Sequence, residues 1–143
     1  MTHRLDIAVL LSVVALVAGC ASVHSSQAPE AALSNVRTIY VQKLSGEDWG
    51  ADKLIVTALE TRGYKASSGL SPTPPDPVDA TLTYEDKWWW DMSPYLIRLK
   101  VQMRDPSNGA ILARAESYRP SLERKSPEFM INEVLDQIFG KQK

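Results

Sequence analysis

Reactive side chains are scarce in this chain. Its 143 residues include one cysteine, Cys20, and two histidines, His3 and His24. With a single cysteine no intrachain disulfide can form, so the fold must stand on its hydrophobic core. Beyond residue 35 there is neither an imidazole nor a thiol. That excludes a Ser-His or Cys-His nucleophile there and leaves no basis for a zinc site. No phosphate-cradling glycine loop and no dinucleotide fingerprint occur. Carboxylate neighbours such as Glu85 and Asp86, Asp86 and Asp91, or Glu47 and Asp48 are of a kind found on any surface. The expectation is a protein that is not an enzyme and holds no cofactor and no metal. Excess charge is also lacking. The 16 basic and 17 acidic residues leave a net charge of −1, so there is no surplus to hold nucleic acid.

Long apolar runs are absent except at the start. "MTHRLDIAVLLSVVALVAGC" has a short polar lead carrying Arg4, and Ile7 to Ala18 is then apolar apart from Ser12. That run falls short of the ~20 residues needed to cross a hydrocarbon core, but it suits the apolar region of a signal peptide. It ends in Ala18 and Gly19, directly before Cys20. The order Leu16-Val17-Ala18-Gly19-Cys20 closely resembles the lipobox of bacterial lipoproteins. The resemblance implies cleavage after Gly19 and lipidation of Cys20, with the protein held to a membrane through that lipid. Residue 21 is Ala rather than the Asp that marks inner-membrane retention in enterobacterial lipoproteins. The expected location is therefore the outer membrane, facing the periplasm. One acyl chain alone would hold a protein only marginally, whereas the diacyl or triacyl cysteine of this family holds firmly.

Three segments follow from these readings: a signal peptide at 1–19, a lipidated Cys20 with a flexible tether to residue 35, and a single domain at 36–143. The tether reading rests on "ASVHSSQAPEAALSN", which is rich in Ser and Ala and lacks apolar periodicity; His24 within it reads as solvated. In the domain, β-branched and aromatic residues predict a strand over 36–44. An apolar stripe of Leu54, Ile55, Ala58 and Leu59 predicts a helix over 51–62, with Gly63 as its left-handed cap. Residues 64–67 read as a short edge strand, and the proline-rich "GLSPTPPDPVD" as a rigid loop. Strands are expected over 80–90, 95–104 and 110–118. Ser126, Pro127 and Glu128 open a last helix whose apolar residues recur from Phe129 to Phe139.

The order β-α-β-β-β-β-α, with two amphipathic helices on one sheet face, predicts an α+β sandwich of two layers with a mixed sheet of four to five strands. By element order the domain is similar to small periplasmic lipoprotein domains of the LptE type and the TolB amino-terminal type.

Trp88, Trp89 and Trp90 stand side by side in "YEDKWWWDMSPYLIRLKV". Neighbours on a strand point to opposite faces, so the three cannot share one. A four-residue turn pairs Trp90 with Tyr95, Trp88 with Ile97 and Tyr84 with Val101. Trp88 and Trp90 then face the core, and Trp89, Leu96 and Tyr118 form an exposed row suited to an interface. This register also places Asp86 inward, where an unpaired carboxylate is costly. Three explanations stand: an open end, an acid of raised pKa, or a β-bulge near Lys87 that sends Trp89 inward and its neighbours out. The functional expectation is a non-enzymatic interaction or assembly module of the cell envelope whose partner is an envelope protein. The alternative is a module that binds a glycan, peptidoglycan or lipid through the tryptophan-rich strand. No nucleic-acid partner is expected.

Overall fold

The computed structural model describes residues 21–27, 30–44 and 49–141. The signal peptide, Gly19 and Cys20 lie outside the described residues. The chain builds one mixed sheet of six strands with two main helices, an α+β architecture with slightly more strands than expected. In chain order the elements are β1 (Ser22–Gln27), α1 (Glu30–Leu33), β2 (Thr38–Gln42), α2 (Ala51–Thr61), β3 (Lys65–Gly69), β4 (Ala80–Asp91), β5 (Ser93–Arg104), β6 (Ile111–Tyr118) and α3 (Pro127–Phe139). The sheet order is β1-β6-β5-β4-β2-β3. β2 runs parallel to both β3 and β4, and the other pairs are antiparallel.

Local chemistry accounts for the elements. Ile39 and Val41 point inward from β2. Tyr40 points outward, yet it is buried because its hydroxyl reaches the proline-rich loop and donates to the Ser71 carbonyl at 3.0 Å. That contact leaves no room beside it, since a Cβ on Gly69 would sit 2.5 Å from the Tyr40 oxygen. Helix α3 starts as its sequence dictates, with the Ser126 side chain accepting from the Phe129 N–H at 3.1 Å and Pro127 in the first turn. Both helices cover the same face of the sheet and touch each other. Their buried Ile55, Leu59, Met130, Val134, Leu135 and Ile138 meet Leu82, Leu99, Val101 and Met103 from the strands. Burying each such side chain contributes roughly 1.5–3 kcal/mol.

Polar ties fix the helices over the sheet. Arg62, just past the end of α2, donates to the Asn132 side-chain oxygen at 2.6 Å and to Asp136 at 2.6 Å on α3. Ser117 of β6 donates to Glu133 of α3 at 2.5 Å, and Arg119 pairs with the other oxygen of the same carboxylate. Asp52, buried in the first turn of α2, accepts from the Ser68 hydroxyl of β3 at 2.7 Å. Asp79 pins the starts of β2 and β4 together. It accepts from the N–H groups of Thr38 and Arg37 and from the Thr38 hydroxyl, and those bonds hold its carboxyl below the usual range. Burial against Phe139 raises the Tyr64 phenol.

The structure corrects the tether reading. Residues 22–27 form strand β1, which pairs with β6 from Ser22↔Tyr118 to Gln27↔Ala113 and so closes that side of the sheet. Polar alternation without bulky residues hides such a strand in the sequence, because an edge strand needs only backbone partners on one side. His24 consequently belongs to the sheet, opposite Glu116. At the other end of β6, a register shift beside Met103 leaves Leu112 buried and Ile111 exposed.

Candidate interaction surface

The hairpin of β4 and β5 obeys the expected register at its base and departs from it near its tip. Leu82↔Met103, Tyr84↔Val101, Glu85↔Lys100 and Lys87↔Arg98 pair as expected. Between Lys87 and Trp88 the register shifts, and Trp88↔Leu96, Trp89↔Tyr95 and Trp90↔Pro94 follow. Ile97 is the extra residue of this bulge. Its carbonyl is not orphaned, since the Arg119 N–H donates to it at 2.8 Å.

The bulge sits on β5, so β4 keeps its phase while β5 changes face. Leu96 turns inward and is 1% exposed, a core residue rather than part of a surface row. Tyr95 takes the outward position beside Trp89. The expected row Trp89–Leu96–Tyr118 is therefore broken: Trp89 stands opposite Tyr95, and Tyr118 lies one step back, opposite Arg98. The Arg98 guanidinium lies over the Tyr118 ring at 5.1 Å. Tyr95 itself is capped, with its hydroxyl 3.0 Å from that of Ser121 and the Arg124 guanidinium 3.8 Å over its ring. Arg124 also reaches Asp91 at 2.8 Å and so ties the segment after β6 to the tip.

The three tryptophans take three different situations. Trp88 faces inward and is partly buried at the margin of the core, stacked on Trp49 with ring centroids 5.7 Å apart. Its indole N–H donates to Asp86 at 2.7 Å, which gives that carboxylate a partner. Trp89 points outward and is 57% exposed, as expected. Trp90 shares the face of Trp88 but lies beyond the helices, 65% exposed, so it is not the core residue it was expected to be. Met92 at the turn is 94% exposed and has φ of 59°, and Leu122, between the anchoring Ser121 and Arg124, is 94% exposed. Trp89, Trp90, Met92 and Leu122 thus make one apolar end.

A second feature lies on the open sheet face, a shallow depression of about 690 Å³. Its charged lining includes His24, Glu85, Lys100, Arg104, Arg114 and Glu116. Lys100 approaches Glu85 at 4.0 Å, and Arg98 pairs with Glu116 at 3.2 Å along its edge. These mutually compensating charges suit a solvated surface or a polar partner. Among the described residues, no group of three or more His, Cys, Asp or Glu side chains could hold a metal ion.

One signal for the bulge was present in the sequence. The inward residues Leu96, Leu99, Val101 and Met103 are spaced by three, two and two, and the single step of three marks the inserted residue. The exposure of Trp90 has no such signal, because that residue reads as core until the end of the helical layer is known.

No protein-family model matches the chain, and no curated protein matches it. Among solved structures it is similar to the PelC dodecamer from Paraburkholderia phytofirmans. That likeness has a TM-score of 0.63 at 18% identity and covers 86% of this chain and 100% of the other. It shows a shared fold. TolB from Acinetobacter baumannii matches less well, with a TM-score of 0.47 at 14% identity over 87% of this chain and 32% of that one. A minor lipoprotein from the same organism gives 0.33 at 15% over 72% and 89%. Among the described residues, no helix is long and apolar enough to cross a membrane.

Proposed function

We propose that this chain is a lipid-anchored module of the cell envelope, held by Cys20 in the outer membrane and facing the periplasm, that works by binding other protein chains rather than by catalysis. Copies of itself are the first partners. The observation that carries the reading is the fold likeness over the full length of PelC, a protein crystallised as a dodecamer. The lipobox-like run ending at Cys20 supports the anchor. The residue inventory supports a binding role, since the one histidine near the sheet, His24, is exposed and no thiol follows Cys20. An open sheet face carrying paired charges and a depression of about 690 Å³ offers a polar contact surface.

The test is the mass of the mature, lipidated protein in detergent, measured by light scattering and by native mass spectrometry. A multiple of the chain mass, or co-purification of a defined envelope protein, is expected. A monomer that captures no protein but is retained by isolated peptidoglycan would replace this reading with glycan binding.

A further inference from the structure

The pairing of β1 leaves almost no leash between the expected lipid site and the folded sheet. Ser22 is already paired with Tyr118, so only Ala21 separates Cys20 from the sheet. Two residues reach at most about 7 Å. Ser22, Tyr118 and Arg98 share one level of the sheet, and the chain before Ser22 leaves in the direction in which β5 runs back to the hairpin tip. From Arg98 to Ser93 the hairpin continues for roughly 15 Å at about 3.3 Å per residue. Even with Ala21 fully extended, the tip therefore projects roughly 8 Å beyond Cys20 on the same side.

From this juxtaposition we infer that the β4–β5 tip is a membrane-seated finger, with Trp89, Trp90 and Met92 entering the lipid interface beside the protein's own anchor and Leu122 behind them. The inference rests on lipidation of Cys20 as proposed above. The interfacial zone of one leaflet is roughly 5–8 Å thick, which matches the overhang. The chemistry fits as well. Tryptophan is the residue enriched at membrane–water interfaces, where its ring is apolar and its N–H is wet. Trp89 and Trp90 point from opposite faces of the hairpin, both exposed. A protein partner laid on one face would cover one ring, whereas a bilayer surrounds both. Met92 adds an observation of its own: it holds a left-handed φ of 59°, where glycine or asparagine is the usual choice. An exposed apolar side chain kept at that cost points to a use for the side chain.

The experiment uses the mature chain reconstituted into phosphatidylethanolamine/phosphatidylglycerol vesicles. Cys20 is the only cysteine in the sequence and its thiol is taken by the lipid, so Met92→Cys offers one site for an environment-sensitive label. Pro106→Cys, in the exposed turn at the far end of β5, serves as the reference. Lipids brominated along the acyl chain should quench the label at position 92 several-fold more than the label at 106, and aqueous iodide should do the reverse. Equal quenching at both positions, with the lipid on Cys20 confirmed by mass, overturns the finger and leaves the anchor standing. A label at 92 shielded from iodide but not reached by brominated lipid means that a protein covers the tip, which also overturns it. A chain without lipid by mass removes the anchor itself, and the finger falls with it.

Discussion

The two halves of the β4–β5 hairpin are made of similar residues and meet opposite fates. At the base, Leu82, Tyr84, Val101 and Met103 lie under the helices and are buried. At the tip, Trp90 lies on that same face beyond the end of the helical layer, and it, Trp89 on the opposite face and Met92 at the turn are exposed. One inserted residue, Ile97, separates the two. Strand residues do not carry an intrinsic inside or outside; a side chain is buried when its face is right and when a second layer covers that position. Trp90 has the right face and no cover, and Leu96 has both only because of the bulge.

That contrast can be broken most severely at the bulge. Deleting Ile97 should return Tyr95 and Leu96 to the simple alternation, turning Leu96 out and Tyr95 in. It should cost more stability than Leu96→Ala, which is expected to lose ~2–5 kcal/mol as a core truncation. Denaturant melts of the two variants give the ranking, and a deletion milder than the truncation would mean that the bulge is incidental. Next comes the margin between the two halves. Trp88→Ala removes a stacked ring and the partner of Asp86, and a loss of roughly 1–3 kcal/mol is expected. Ser126→Ala tests the helical layer that covers the base, with an expected loss of about 1 kcal/mol through the lost cap.

Acidification probes the base from its other end. The Asp79 carboxyl titrates below its ordinary value of 3.8 because the folded state donates hydrogen bonds to it. Its contribution is therefore present above that ordinary value and is lost as pH falls through the lower, folded one. Melts of the wild type and Asp79→Asn should differ at neutral pH and converge in strong acid. The smallest effects belong to the tip. Trp90→Ala should change stability by no more than about 0.5 kcal/mol in detergent solution. Met92→Asn should raise it by roughly 0.5 kcal/mol, because asparagine accepts the left-handed turn.

The same contrast explains what could be read without coordinates. Helices α2 and α3 were legible to within a residue or two, because a periodic apolar stripe and the Ser126-Pro127 start act locally. β3 was legible as an edge strand, and the hairpin register was legible from Lys87 back to Leu82. Beyond that point the outcome depended on one unpaired residue, which reverses the face of Leu96 without changing the composition of the strand. β1 was not legible because Ser22 to Gln27 carries no apolar alternation; its partner strand, far away in sequence, supplies the reason for it to be extended. Of the surface row, Trp89 and Tyr118 face outward as expected, although not as one row, while Leu96 and Tyr95 were both put on the wrong side by sequence reasoning.

The pairing of β1 with β6 also sets an order of events. These partners come from opposite ends of the domain, so closing that contact spans nearly its whole length, and contacts of long sequence separation form late. In chain order the β1 stretch comes first and has no strand to join until Ile111 to Tyr118 is in place against α3. The backbone next to Cys20 is thus the last to be locked into the sheet. Under the lipidation proposed above, an enzyme acting at Cys20 would therefore work before the sheet is complete.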